Sequence, residues 1–240
     1  MSSEKAKSYH SITIGDKNTW DDWHLVPTSR PLVNPPGVRA NMVDIPGGDG
    51  SLDLTEALTG FPTYSNRTGS WEFIVMNDYG SWEARYSELM AYFHGRHLRA
   101  ILDDDPNYYY EGRFSLSSWS SNKNWSTVVI NYNVGPYKIE LRASGEDWLW
   151  DPFNFEQDAI RDYKNIQVNG SLEFVIANDI MRVKPVIEAS TAMTVTHGGH
   201  TYDLVAGENR PRGLVLHPGD NILVFNGTGT VTIIMYGGRF

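Results

Sequence analysis

The sequence predicts a mainly β protein with one helix, arranged as an α+β, sandwich-like domain followed by an antiparallel β-sandwich. Three observations predict this. Eight Trp, 13 Tyr and nine Phe are interleaved with 22 Gly and 12 Pro, the mixture of strand formers and turn residues typical of β-structure. One stretch, 81–94, carries a helical apolar stripe. Beyond residue 137, short apolar runs recur at regular spacing with turn signals between most of them.

In chain order, Tyr9–Ile14 reads as a strand closed by Gly15-Asp16, and Thr19–Val26 carries Trp20, Trp23 and Leu25. Pro27, Pro31, Pro35 and Pro36 make 27–37 an extended loop, because proline lacks the donor a ladder needs. Arg39–Ile45 is a strand, Gly47-Gly48-Asp49-Gly50 its turn, and Leu52 and Leu54 begin a short return. In Trp71–Asn77 the residues Trp71, Phe73 and Val75 share one face and Glu72, Ile74 and Met76 the other. Over Ser81–His94, Trp82, Tyr86, Leu89, Met90 and Phe93 fall on one helical stripe, with Ser81 as cap and Gly95 as stop. Leu98–Leu102 and Tyr108–Leu116 form a hairpin around Asp103-Asp104-Asp105-Pro106-Asn107. Ser117–Asn124 reads as a polar loop and Trp125–Tyr132 as a β-branched strand. Gly135-Pro136-Tyr137 is a boundary, giving domains 1–136 and 137–240.

The second domain is expected to hold strands at Tyr163–Val168, Leu172–Ile176, Pro185–Ala189, Met193–Thr196, Thr201–Val205, Gly213–Leu216, Asn221–Phe225 and Thr230–Tyr236. Turns are expected at Asn169-Gly170, His197-Gly198-Gly199, Ala206-Gly207, Pro218–Asn221 and Asn226–Gly229. Ahead of them Trp148, Trp150 and Phe153 cluster around Asp151-Pro152. They form a candidate platform for a glycan, or for packing.

Twenty basic and 29 acidic residues leave a net charge of −9. The excess is even along the chain, with 11 basic and 16 acidic residues up to Gly135 and 9 and 13 after it. That disfavours a nucleic-acid-binding face and a polybasic membrane contact. The absence of cysteine excludes disulfides, thiolate metal sites and thiol nucleophiles. Met1–Lys7 lacks the apolar core of a signal peptide, and no run approaches a membrane span, so a soluble protein without membrane insertion is expected.

Chemical motifs are weak. Gly47–Gly50 lacks the spacing of a phosphate loop and opens no helix. Asp49, Ser51 and Asp53 begin like a calcium loop, but Leu54 stands at the sixth position and Gly60 at the twelfth. Asp103–Asp105 is an acidic run with turn chemistry. His94/His97 and His197/His200 each lack a third ligand for zinc. His10, His24 and His217 are isolated. No nucleophile motif is present. Catalytic, cofactor and metal residues are therefore assigned to none.

Several ordered pieces carry a resemblance. Asp44-Ile45-Pro46-Gly47-Gly48-Asp49-Gly50-Ser51-Leu52-Asp53-Leu54-Thr55 is followed by Tyr64-Ser65-Asn66-Arg67, then the helix ending Phe93-His94-Gly95, then Asp103-Asp104-Asp105-Pro106-Asn107-Tyr108-Tyr109-Tyr110-Glu111-Gly112-Arg113, then Pro136-Tyr137-Lys138. In order and spacing over about residues 9–138 the chain resembles the distal tail proteins of siphophages and prophages, the Dit-type baseplate hub. The resemblance implies a ring-forming first domain, usually a homo-hexamer at the tail tip, and a galectin-like second domain. It implies contacts with the tail tube protein, a tail-associated hub or lysin protein, and receptor-binding proteins or host glycans. DNA would meet the ring in passage through its lumen, where an acidic lining would avoid trapping it. The family is structural and contributes no catalytic residues. The alternatives are a carbohydrate-binding β-sandwich module acting in host adhesion and a glycan-cleaving enzyme.

Overall fold

A computed structural model describes residues 10–76, 82–121, 125–144 and 162–240. The chain divides into two compact units, 1–138 with Phe240, and 139–239.

The first unit holds β1 (Ile12–Ile14), β2 (Lys17–Asn18), β3 (Leu25–Pro27), β4 (Met42–Asp44), β5 (Ser51–Asp53), β6 (Arg67–Met76), α1 (Trp82–Phe93), β7 (His97–Leu102), β8 (Tyr108–Ser121) and β9 (Trp125–Val134). Seven strands run in the order β2-β1-β7-β8-β9-β6-β3, all antiparallel, while β4 and β5 pair with each other alone. Alternation sets the faces as expected. Trp71, Phe73 and Val75 of β6 are buried with Val128 and Ile130 of β9 and Phe114 and Leu116 of β8. Leu89 and Phe93 of α1 close this core, and Trp82, Tyr86 and Met90 pack against it. The helix stops at Gly95 (φ 77°), whose N–H donates to Phe114 O at 2.9 Å.

A tight loop follows β2, in which Trp20 and Asp21 N–H donate to Asn18 Oδ1, and pairing resumes at Leu25. One expectation fails in this unit. Ser117–Asn124 is not simply a polar loop, since β8 continues to Ser121. A bulge at Ser117 shifts the register between Leu116 and Ser118. It moves the inward phase from even to odd residues, so Trp119 opposes buried Val128 and stacks on Tyr86 at 4.9 Å.

The proline-rich loop is fastened to the sheet through side chains. Trp71 Nε1 donates to Leu32 O (2.8 Å), Asn34 N–H to Tyr132 Oη (3.0 Å), and Asn34 Nδ2 to Thr68 O (2.8 Å). Gly112 makes the closest backbone approach: a Cβ there would lie 2.1 Å from Asn133 O and 2.6 Å from Val134 Cα.

Strand β10 (Lys138–Glu140) begins on the last residue of the first unit, and the second unit holds β11 (Ile166–Asn178), β12 (Val186–Ala189), β13 (Met193–His197), β14 (His200–Leu204), β15 (Gly207–Asn209), β16 (Gly219–Ile234) and β17 (Gly238–Arg239). Its main sheet runs β14-β13-β16-β12-β15, with β11 paired along β16, and β10 pairs β17. The fold is thus mainly β with one helix among the described residues, and its curled antiparallel sheets give a sandwich-like architecture.

Here the glycine signals mislead. The second half of Tyr163–Val168 and all of Leu172–Ile176 fall on the single strand β11, and Asn221–Phe225 and most of Thr230–Tyr236 on β16; the supposed turns pair with each other, Gly170 opposite Gly227. The reason lies on the far side of β16, which pairs with β13 at 224–226 and with β12 at 231–234. The β12–β13 connection crosses the gap. Thr191 Oγ1 donates to Thr228 O (2.6 Å), and Thr230 N–H to Ser190 Oγ (2.8 Å). A Cβ at Gly227 would lie 2.5 Å from Met193 Cβ, and one at Gly229 2.5 Å from Ser190 Oγ. These glycines let another segment approach rather than turn the chain. Gly213–Leu216 forms no strand; Leu216 makes one bridge, to Val183.

Candidate assembly interface

The segment from Val38 to Tyr64 leaves the first unit as an arm. Its root is a bridge between Val38 and Tyr64, reinforced by Arg39 N–H to Thr63 O and Ser65 N–H to Gly37 O, both 2.8 Å. Leu54 N–H to Asn41 O (2.8 Å) and Asn41 N–H to Thr55 Oγ1 (3.0 Å) extend the pairing outward to β4–β5. Gly47 and Gly50, both at φ 78°, provide the left-handed residues of the reversal at the tip. Every residue from Gly37 to Asp53 is exposed. Met42, Ile45 and Leu52 are exposed by 58%, 51% and 50%, and Leu58 by 95%. An isolated two-stranded hairpin is marginal in water, and an apolar one that packs on nothing is a surface awaiting a partner.

No ligand cradle forms at this turn. The Asp53 carboxylate accepts from Thr55 N–H at 2.8 Å, and the Thr55 donors hold its pKa below the usual aspartate value. It is spent on the local turn.

The aspartate hairpin is a clamp. Asp103 accepts from Ser11 Oγ (2.5 Å); Asp104 from His10 Nδ1 (2.9 Å) and Arg30 Nε (2.9 Å); Asp105 from Lys138 Nζ (2.7 Å). Three adjacent carboxylates thus tie three separate segments to one hairpin tip. Burial alone would raise the Asp104 pKa, but the hydrogen bonds from His10 and Arg30 more than reverse this and lower it. The tyrosines that follow hold cations: Lys138 lies over Tyr108 (4.5 Å), Arg99 over Tyr109 (4.4 Å) and Arg67 over Tyr110 (5.4 Å). Arg67 is buried, donates from Nε to Pro136 O at 2.8 Å, and its desolvation lowers its pKa. Sequence reading singled out Arg67 within a motif but not its burial. The tyrosine run Tyr108–Tyr110, whose last ring receives the guanidinium, was the available signal.

The histidine pairs are engaged elsewhere. His97 faces Glu111 at 3.8 Å. His197 directs Nδ1 to Ile222 O (2.9 Å) and Nε2 to Val215 O (3.2 Å), so its ring nitrogens point at carbonyls rather than toward His200. Among the described residues no three His, Asp or Glu side chains gather as a metal site. Trp148, Trp150 and Phe153 lie outside the described residues. The flanking positions converge, Tyr163 N–H donating to Ser144 O at 3.4 Å. No helix among the described residues is long and apolar enough to cross a membrane.

Comparison with known proteins gives a class of fold. No protein-family model matches the chain, and no curated protein matches it in sequence. Among solved structures it is similar along nearly its whole length to a Dit-type phage protein. That protein is SPP1 Dit (gp 19.1), described as a paradigm of the hub adsorption apparatus in phages that infect Gram-positive bacteria. The TM-score is 0.61 at 13% identity, covering 96% of this chain and 99% of the other. The chain therefore has a Dit-type fold.

Proposed function

We propose that the chain is a structural virion protein of the distal-tail type. Copies assemble through the first unit into a hexameric ring at the tail tip. The ring joins the tail tube protein to a tail-associated hub or lysin protein and to host-binding proteins, and DNA passes through its lumen. In this reading the role is structural, with no catalysis.

The observation that carries the proposal is the match in fold to SPP1 Dit over 96% and 99% of the two chains. The arm supports it independently, since exposed apolar side chains on a self-paired hairpin suit a head-to-tail contact between copies. Six copies of the 27.1 kDa chain give a particle of about 160 kDa. Light scattering at that mass, with rings in negative stain, is the expected result. A protein that stays monomeric at high concentration would overturn the proposal.

A further inference from the structure

We infer that the arm of one copy seats on a basic strip formed by the α1–β7 junction and the β7–β8 ladder of the next copy. This rests on the ring reading and names the two surfaces that would meet.

The charges are complementary. Residues 39–60 carry Asp44, Asp49, Asp53 and Glu56 against Arg39 alone. In a chain of net charge −9, the strip runs the other way: exposed Arg96, Arg99 and Arg113, with His94 and His97, surround Glu111. Glu111 lies 3.6 Å from Arg99 Nε and 3.8 Å from His97 Nδ1. The three guanidinium groups are held largely by neutral partners. Arg96 Nη1 donates to Tyr92 O (3.2 Å), Arg113 Nη1 to Gly95 O (2.7 Å), and Arg99 lies over the Tyr109 ring. Glu111 offsets Arg99, while the carbonyls position Arg96 and Arg113 without neutralising them, which leaves the strip with spare positive charge.

The topology places the two surfaces on opposite sides of one sheet. The arm runs directly into β6, next to edge strand β3, while β7 lies beside β1 and β2 at the other edge. Arg67, Val134, Gly112 and Leu98 pair in one row across β6, β9, β8 and β7, so the arm root and the strip sit at the same level. Eleven residue steps from Val38 to Asp49 at ~3.3 Å reach about 36 Å, against about 29 Å for the six spacings of the seven-strand sheet. An arm leaving one edge therefore reaches the neighbour's opposite edge. Unlike patches meeting at the same level make a heterologous contact, the kind that closes into a ring.

The test is a charge swap read by light scattering. Asp44→Lys, Asp49→Lys and Glu56→Lys together reverse the arm; Arg96→Glu and Arg99→Glu reverse the strip, and Arg99→Glu alone is the milder variant if the pair fails to fold. Each reversed side should weaken assembly by at least about tenfold and lower its salt tolerance, as opposed like charges do at interfaces. A mixture of arm-reversed and strip-reversed chains matches opposite charges at both contacts and should form rings of alternating chains, although neither chain assembles alone. Combining both reversals in one chain should restore the ring. A wild-type chain that never forms a ring would overturn the ring reading and this inference together. A wild-type ring that persists in both reversed variants, or a double reversal that fails to restore it while each chain melts normally, would overturn this inference alone.

Discussion

Replacing Met42, Ile45 and Leu52 together by serine should leave the monomer intact and abolish the proposed ring. These side chains are about half exposed and belong to neither hydrophobic core. Fully burying such a side chain contributes about 1.5–3 kcal/mol, so covering the exposed half contributes about 1 kcal/mol each. The triple variant then loses about 3 kcal/mol per interface, roughly 150-fold in affinity. Exposed positions without core contacts change stability by about 0.5 kcal/mol or less when substituted. The assay is paired: light scattering over a concentration series for assembly, and thermal unfolding monitored by circular dichroism under monomeric conditions for the fold. A ring that forms at wild-type concentration would refute the assignment of the arm as an interface. A large drop in melting temperature of the monomer would show instead that the three side chains belong to the fold.

Other substitutions test the interior. Gly112→Ala forces a Cβ against the Asn133–Val134 backbone, which cannot rotate away as a side chain would; urea titration should show a loss of about 3 kcal/mol, and a loss under 0.5 would contradict the close approach. Gly227→Ala combines a φ of 153° with a Cβ 2.5 Å from Met193 Cβ. It should cost about 2–4 kcal/mol, with hydrogen exchange rising in β16 while the β6–β9 ladder stays protected. Asp104 predicts a pH dependence. Its folded pKa lies below the ordinary aspartate value of 3.8, so its contribution is complete above that value and is lost as pH falls through the folded pKa. Asp104→Asn should remove that part of the acid sensitivity, seen as a flatter stability curve through the acid range, at a cost of about 1 kcal/mol at neutral pH. An unchanged acid profile would show that Asp104 is not the titrating clamp.

What the sequence made legible followed from periodicity. The stripe Trp82, Tyr86, Leu89, Met90 and Phe93 marks a helix wherever it occurs, and Trp71, Phe73 and Val75 mark a buried strand face. The hairpin across Asp103–Asn107 was also readable, because proline and asparagine terminate pairing between two apolar runs. The misreadings share a cause. Gly227 and Gly229 carry turn chemistry, yet their missing Cβ atoms serve a crossing segment, and that segment is about 40 residues from Gly229 in sequence. A local rule has no access to it. Ser117 is similar: one bulge residue reverses the inward phase, and Trp119 among serines looks like a loop residue. The candidate interface was half legible. The exposed state of Met42–Leu52 follows from which neighbours the arm lacks, and sequence does not record a missing neighbour.

The aspartate motif and the arm, far apart in sequence, are linked by one chain of fastenings. Asp104 holds Arg30 in the proline-rich loop, and that loop leads into Val38 at the arm root. Trp71 and Tyr132 fix the same loop at Leu32 and Asn34, so it meets the sheet at three points before the arm departs. On the return side, Arg67 lies three residues after Tyr64 and is clamped between Tyr110 and Pro136. Asp105 secures Lys138 beside that clamp. Asp104 thus holds the leading side of the arm, and the Tyr110–Pro136 clamp, with Asp105 fastening Lys138 beside it, holds the return side. An arm fixed at its root loses less freedom on docking than a loose loop does, and that saving favours assembly. Loosening the root, as acid does through Asp104, should therefore weaken the ring before it unfolds the sheet.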